Sequence, residues 1–306
     1  LRRALHLVGS ILALAAPAAA APIPPVRLPP VNLGASSFMD AMGRPGIFVH
    51  EYVGLADARR FVGSDGQTLP GENSVFAVAA LTHVAFTLPQ DVLGGHWGAE
   101  VLLPVVHVHI HTGPIDARAN GLGDLIVSPI VFQVPKLSVF DRPLTGRLAL
   151  TFVLPTGRYH SDAPVNIGNN VFSFNPHYAF TFLITDRFET SWRFNYLFSS
   201  ANASPPIAYQ ASSIQPGQAV HFNGAFSYAL WPEFRAGVSG YYFKQITDSA
   251  IDGQALANAK EQVAGMGPGV MLTVGTFRTV VNGYWEFAVR NRPAGTRWSL
   301  NVSYAW

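Results

Sequence analysis

Hydrophobic and polar positions alternate with a period of two along most of this chain, most cleanly at its end. Trp298, Leu300, Val302, Tyr304 and Trp306 share one parity, and Arg297, Ser299, Asn301, Ser303 and Ala305 share the other. That period belongs to a β-strand with two unlike faces. The same alternation recurs from residue 46 onward and predicts strands over 47–61, 74–88, 96–111, 122–134, 144–155, 171–183, 187–198, 218–229, 233–246, 262–274, 277–289 and 295–306.

The faces separate best in the second half. Phe172, Phe174, Pro176, Tyr178, Phe180 and Phe182 oppose Ser173, Asn175, His177, Ala179 and Thr181. Phe188, Trp192, Phe194, Tyr196 and Phe198 oppose Glu189, Ser191, Arg193 and Asn195. Val220, Phe222, Phe226 and Tyr228 oppose His221, Asn223 and Ser227, while Phe277, Val281, Trp285, Phe287 and Val289 oppose Arg278, Asn282, Glu286 and Arg290. A strand of a soluble sandwich alternates too, but its wet face carries mostly Lys and Glu. Here the polar parity holds Ser, Asn, Thr, Gly and scattered Arg, as a crowded wet lumen would. The pattern predicts an all-β fold: a transmembrane antiparallel β-barrel of twelve strands, apolar parity toward lipid. The last strand is expected to pair with the first near Ile47 to Leu55, leaving no open edge.

Connection lengths agree with that reading. With both termini periplasmic, the tight Thr185-Asp186, Trp231-Pro232 and Gly275-Thr276 fall on the periplasmic side, and the long polar 199–217 and 247–261 fall outside. Segments 89–95 and 135–143 read as mid-length, and Pro104 and Pro129 predict bulges or register shifts.

Composition then narrows the class. Only 12% of residues are charged and there is no cysteine, which removes disulfides, thiolate metal sites and a lipid anchor together. Leu1-Arg2-Arg3, an apolar run to Ala16, Pro17 and Ala18 to Ala21 follow the plan of a secretory signal over 1–20, cut near Ala20 or Ala21. Beyond it no apolar run reaches the roughly 18 residues of a membrane helix, so a closed barrel is the expected route into a bilayer. Of 20 basic residues Arg2 and Arg3 leave with the signal, so 18 face 18 acidic ones; a neutral chain argues against a nucleic-acid partner. Residues 21–45, rich in proline, read as a periplasmic tail or lead-in segment without regular structure, and 46–306 as the barrel.

Two stretches carry a family resemblance. Gly121-Leu-Gly-Asp-Leu125 with Ser128-Pro129, and Leu154-Pro-Thr-Gly-Arg158 running on to Val165-Asn-Ile-Gly-Asn-Asn170 with Ser173-Phe174 and Asn175-Pro176, resemble the outer-membrane proteins named for the meta-cleavage pathway of phenol degradation. The resemblance covers roughly residues 46–306 and implies a barrel in the bacterial outer membrane that passes aromatic or other apolar nutrients. Read physically, Gly121 and Gly123 allow a tight loop-to-strand junction and Asp124 can accept backbone hydrogen bonds there. Pro155, Thr156 and Gly157 would end the fifth strand, and Asn166, Gly168 and Asn169 would shape re-entry into the sixth. A sharper reading folds 156–170 into the barrel as a gate.

Candidate chemistry follows from the faces. Arg147, Arg193, Arg235, Arg278 and Arg290, with Glu189 and Glu286, are expected to point inward as a ladder that props the lumen or attracts carboxylated aromatics. The reason is that Arg toward lipid costs about 2–4 kcal/mol at the midplane. With His177, Asn195, His221, Asn223 and Asn282 they mark the expected transport path. His107, His109 and His111 share a strand face, but neighbours there stand about 6.5–7 Å apart. They are therefore weak metal candidates and read better as a polar lumen or rim stripe; His50 and His83 read as ordinary strand histidines. His177 with Ser173, or His221 with Ser227, keeps an outer-membrane hydrolase open, although no Gly-x-Ser-x-Gly elbow occurs. Trp306 reads as the signal for the barrel assembly machinery. The expected function is passive uptake of small apolar or aromatic solutes across the outer membrane, without a cofactor. The hydrolase and a plugged structural barrel are the alternatives. Side chains are expected to fill much of the interior.

Overall fold

The alternating segments become strands in the computed structural model, which describes residues 26–305. The signal segment, its cleavage site and Trp306 lie outside the described residues. The barrel strands are β1 (Gly46–Val62), β2 (Asn73–Val92), β3 (Gly95–Thr112), β4 in two pieces (Ile115–Leu122 and Leu125–Val139) and β5 (Arg142–Leu154). There follow β6 in two pieces (Ser173–Phe174 and His177–Leu183), β7 (Phe188–Ser199), β8 (Ala219–Trp231), β9 (Phe234–Gln245), β10 (Gln262–Val274), β11 (Phe277–Arg290) and β12 (Arg292–Ala305). Each pairs antiparallel with its neighbours in sequence, and β12 returns to β1 from Phe48–Ala305 to Val62–Arg292, with Val53 opposite Leu300. Twelve strands thus close a barrel with no free edge.

Strand pleat sorts the side chains as the alternation requires. Phe194, Phe226, Trp285, Phe287, Trp298 and Leu300 are exposed on the outer wall, whereas Ser191, Asn223, Ser227, Asn282 and Ser299 are buried inside. On the outer wall the Trp192 ring packs 5.8 Å from Phe222 and edge-on, 6.1 Å, to Phe226. Such cross-strand ring pairs add about 0.5–1.5 kcal/mol each beyond their area.

Several local expectations change. The connections read as mid-length are two-residue turns: Leu93-Gly94 has φ of 56° and 77°, and Phe140-Asp141 has 51° and 59°. Positive φ at both positions matches the twist of the flanking strands; Leu and Phe in those places carry no turn signal. The fourth strand begins at Ile115 rather than 122, because Gly123-Asp124 interrupts it instead of starting it. β3 changes partner there, pairing with the first piece of β4 beyond Val105 and with the second below Leu102. The Pro104 carbonyl accepts the Gly123 amide at 2.9 Å at the switch. Next to Pro129 the β4–β5 register slips between Val127 and Ile130, so both prolines disturb pairing as expected. Arg290 points outward and Val289 is buried, the reverse of the simple alternation. Ala288 takes a φ of 50°, and that one irregular residue flips the parity beyond it.

The long loops gather at the end opposite the tight turns. There Ile214–Gln215 pairs with Ala250–Ile251, which pairs with Gln254–Ala255. Asp252 pins this small sheet: its Oδ1 accepts the Ser212 amide at 2.9 Å, the Ser212 hydroxyl at 2.7 Å and the Ser213 amide at 2.8 Å. These bonds favour the charged form and hold the carboxyl below the ordinary Asp value. A depressed folded-state pKa stabilises the loop fully above the unfolded value of about 3.9 and loses that contribution as pH falls through the folded one. Protection of the Ser212 and Ser213 amides, taken relative to their intrinsic exchange rates, is therefore expected to be high at neutral pH and to fall only below about pH 4. In Asp252→Ala that protection is expected to be low at every pH, read by hydrogen–deuterium exchange.

Candidate functional site

The lumen is occupied by the chain's own N-terminal segment. Eight strands close a barrel that side chains alone can fill, whereas sixteen leave an aqueous channel. Twelve leave room for one further strand-width of chain, and residues 26–45 take it. The segment has no regular structure, as expected. Its described part runs inside the barrel rather than through the periplasm. It enters at the mouth ringed by the tight turns, just before Gly46, and climbs to Val26, which is buried among Tyr209 and Ile214 of the long loops at the other end.

The wall holds it group by group. The Asn223 side chain accepts the Gly34 amide at 3.0 Å and donates to Asn32 Oδ1 and Ser36 Oγ at 2.9 and 2.8 Å. The Gly34 carbonyl accepts Tyr284 Oη at 2.8 Å and Ser299 Oγ at 3.2 Å. Gly34 has φ of 77°, and a Cβ there would fall 2.6 Å from the Tyr284 ring, so only glycine passes this point. Lower down Asn282 Nδ2 donates to Ser37 Oγ at 3.2 Å, and Thr181 Oγ1 accepts the Ala41 amide at 3.1 Å. Gln133 Nε2 donates to the carbonyls of Ala41 and Gly146, both at 2.9 Å. Phe38 packs in an apolar pocket of Ala225, Met271 and Val280, and Leu28 against Leu197, Tyr241, Phe243 and Tyr284.

The expected lumen charges are inside, except Arg290, but they form separate pairs rather than one ladder. Arg193 makes a two-pronged bond to Asp40 of the segment, Nε to Oδ2 at 2.8 Å and Nη2 to Oδ1 at 2.9 Å, and Nη1 donates to His177 Nε2 at 3.1 Å. Arg147 pairs with Glu100, whose other oxygen is 3.5 Å from His83 Nε2. Glu286 accepts Arg297 Nε at 2.8 Å and Tyr241 Oη at 2.9 Å. Arg235 reaches Glu189 through Ser227, which accepts from Arg235 Nε at 3.0 Å and donates to Glu189 Oε1 at 2.5 Å. Among the described residues Arg278 donates only to the Met39 carbonyl, at 3.4 Å. Asn195 Nδ2 donates to the His221 carbonyl at 3.3 Å, and the His221 ring meets Asn175. His50 and His83 stack with ring centroids 4.9 Å apart, so both line the lumen. Glu100 and Asp40 join the lumen charges as the partners of Arg147 and Arg193. Parity with Val101 would have found Glu100; nothing local marks Asp40.

Neither serine–histidine pairing forms. Ser173 Oγ bonds Ser199 Oγ at 2.9 Å, and Ser227 is taken by Glu189 and Arg235. His107, His109 and His111 do not reach the lumen either. They continue the outward row of Val101, Leu103 and Val105 on β3, and His109 Nε2 bonds Asp116 Oδ1 across the hairpin at 2.5 Å. Among the described residues no three His, Asp or Glu side chains converge as a metal site.

The motif residues meet around Asp124. Its Oδ1 accepts the Gly157 amide at 2.9 Å, and its Oδ2 accepts Asn169 N and Nδ2 at 2.8 and 2.9 Å. Thr156 Oγ1 accepts the Leu125 amide at 3.0 Å, next to Pro155 at the end of β5. Asn166 Oδ1 accepts the His160 amide at 2.8 Å, and the Gly168 amide donates to the Arg158 carbonyl at 2.8 Å. Gly121 has φ of 151°. The clamp keeps 155–170 at the outer rim, where Tyr159 Oη donates to the Ser204 carbonyl at 2.7 Å; the segment does not fold into the lumen as a gate. A Cβ on Gly168 would sit 2.7 Å from the Gly157 carbonyl group. Gly168→Ala is therefore expected to lose about 1–3 kcal/mol through overpacking, seen as faster cleavage of this loop in limited proteolysis.

A closed twelve-stranded barrel with an apolar belt, a polar lumen, tight turns at one end and long loops at the other is an outer-membrane β-barrel. The family model described as "Putative MetA-pathway of phenol degradation" matches residues 58–302, and the chain belongs to that family. An outer membrane channel from Pseudomonas putida F1 shares the fold with a TM-score of 0.77, at 14% identity over 90% of this chain and 100% of that one. The β domain of the Bordetella autotransporter BrkA gives 0.47 at 11% identity over 85% and 99% of the two chains. The NanC porin gives 0.40 at 10% over 85% and 98%. No curated protein sequence matches.

Proposed function

We propose that this protein resides in the bacterial outer membrane and passes small apolar or aromatic solutes down their gradient, its lumen closed at rest by residues 26–45. The carrying observation is the contrast between wall and filling. The wall is sealed by continuous strand ladders. The segment is irregular and held largely by side-chain hydrogen bonds, whose net worth is small because water replaces the partners when the segment leaves. Solutes gather at the outer loops, 155–172 and 200–218, and descend along His221, Asn223, Asn195, Asn282 and the lumen arginines as the segment yields. The aromatic class rests on the family description, which ties these proteins to phenol degradation.

Reconstitution tests the reading. Liposomes holding the full chain or the chain lacking 26–44 are expected to admit phenol and benzyl alcohol faster than protein-free liposomes. If no small solute enters in either form, the channel reading falls and a plugged structural barrel replaces it.

A further inference from the structure

At the periplasmic mouth a cavity of about 450 Å³ opens between the segment and the wall. Met39 and Met42 of the segment form one side; Phe48 and His50 of β1, Thr273 of β10 and Arg278 of β11 form the other. The size falls within the roughly 300–1,000 Å³ of small-molecule pockets. Its polar and apolar parts are segregated. Phe48 and His50 present rings 6.3 Å apart and 20° from parallel, a flat wall of a cavity that Met39 and Met42 also line; thioethers pack well on aromatic rings, and Met42 Sδ also accepts from Thr145 Oγ1 at 3.3 Å. Beside this wall stands Arg278.

Arg278 differs from its fellows. Arg147, Arg193 and Arg297 each hold a carboxylate, at Glu100, Asp40 and Glu286. Among the described residues Arg278 is in no salt bridge; Asp40, already held by Arg193, acts on it only from a distance, and its one hydrogen bond, to the Met39 carbonyl, is long at 3.4 Å. A guanidinium offers five donors in a planar fork suited to a carboxylate. We propose that this cavity binds a small aromatic carboxylate, its carboxylate on Arg278 and its ring between Phe48 and the methionines.

The site has a built-in consequence. A third of its lining, Met39, Met42, Gly43 and Arg44, belongs to the segment, so the cavity exists in this form only while the segment is docked. A ligand that binds one of two states stabilises that state, so a periplasmic aromatic carboxylate holds the channel shut. This second step rests on the channel reading above; binding itself does not.

Isothermal titration of benzoate, phenol and cyclohexanecarboxylate into the full chain in detergent tests the site. Benzoate is expected to bind at least about tenfold more tightly than phenol, since phenol lacks the charge-assisted fork. Cyclohexanecarboxylate is expected to fall between, keeping the charge and losing the ring contact. Arg278→Gln should weaken benzoate at least about tenfold while leaving phenol unchanged. Arg278→Lys, which keeps the charge and loses the planar fork, should bind benzoate more weakly than wild type and more tightly than Arg278→Gln. Heat-modifiable migration of both variants verifies folding. Undetectable benzoate binding, equal affinity for phenol, or wild-type affinity in either folded variant overturns the proposal. Liposome swelling separates the two readings: solute flux without benzoate binding removes only the site, and benzoate binding without flux in any form removes only the channel.

Discussion

Removing residues 26–44 is expected to turn a nearly closed barrel into an open pore, with solute flux about a hundredfold above that of the full chain. An open population of about 1% needs a docking free energy of only roughly 2.7 kcal/mol. The segment's anchors to β4, β6, β7, β8, β11 and β12 meet that easily. The barrel itself does not need the segment for closure, because β1 and β12 remain paired along their length. Single-channel recording should give discrete, long-lived steps for the shortened chain and few for the full one. An impermeable shortened barrel would assign closure to the outer loops, which Val26 helps to seal through Tyr209 and Ile214.

Asp40→Asn is expected to loosen the segment more than any other single change in it. Asp40 and Arg193 are both largely shielded from water, with side-chain exposures of 12% and 14%. Removing one partner of a buried ion pair costs about 3–5 kcal/mol, mostly by stranding the other charge. Among the described residues Arg193's other side-chain hydrogen-bond partner is His177. A loss of that size shifts the docked-to-open ratio by roughly a hundredfold or more, so Asp40→Asn should conduct nearly as well as the shortened chain. The double variant Asp40→Leu with Arg193→Met removes both charges and should return much of the closure, as apolar replacements of buried pairs often do. Conductance of the single variant equal to that of wild type would show that the pair contributes little to docking.

Strand parity was legible because it is local. Glu189, Ser191, Arg193 and Asn195 turn inward from β7, and His221, Asn223 and Ser227 from β8, as their alternation with aromatic residues requires. Parity failed only where backbone geometry broke the count, at Ala288 before Arg290. On β3 the same parity carries His107, His109 and His111 along the outward row of Val101, Leu103 and Val105. The turn chemistry of Asp124, Thr156, Gly157 and Gly168 was visible as residue types suited to tight geometry. That they form one clamp was not, because its partners lie 33 and 45 residues from Asp124.

By itself, then, the sequence determined a closed antiparallel barrel, its two faces, and the side on which its long loops fall, since a period of two and turn composition are written residue by residue. Only the tertiary structure decided what fills the lumen. Residues 26–45 have neither period nor capping signal. Their place inside is fixed by partners such as Arg193, 153 positions beyond Asp40, and by the spare width of a barrel too broad for its own side chains to fill.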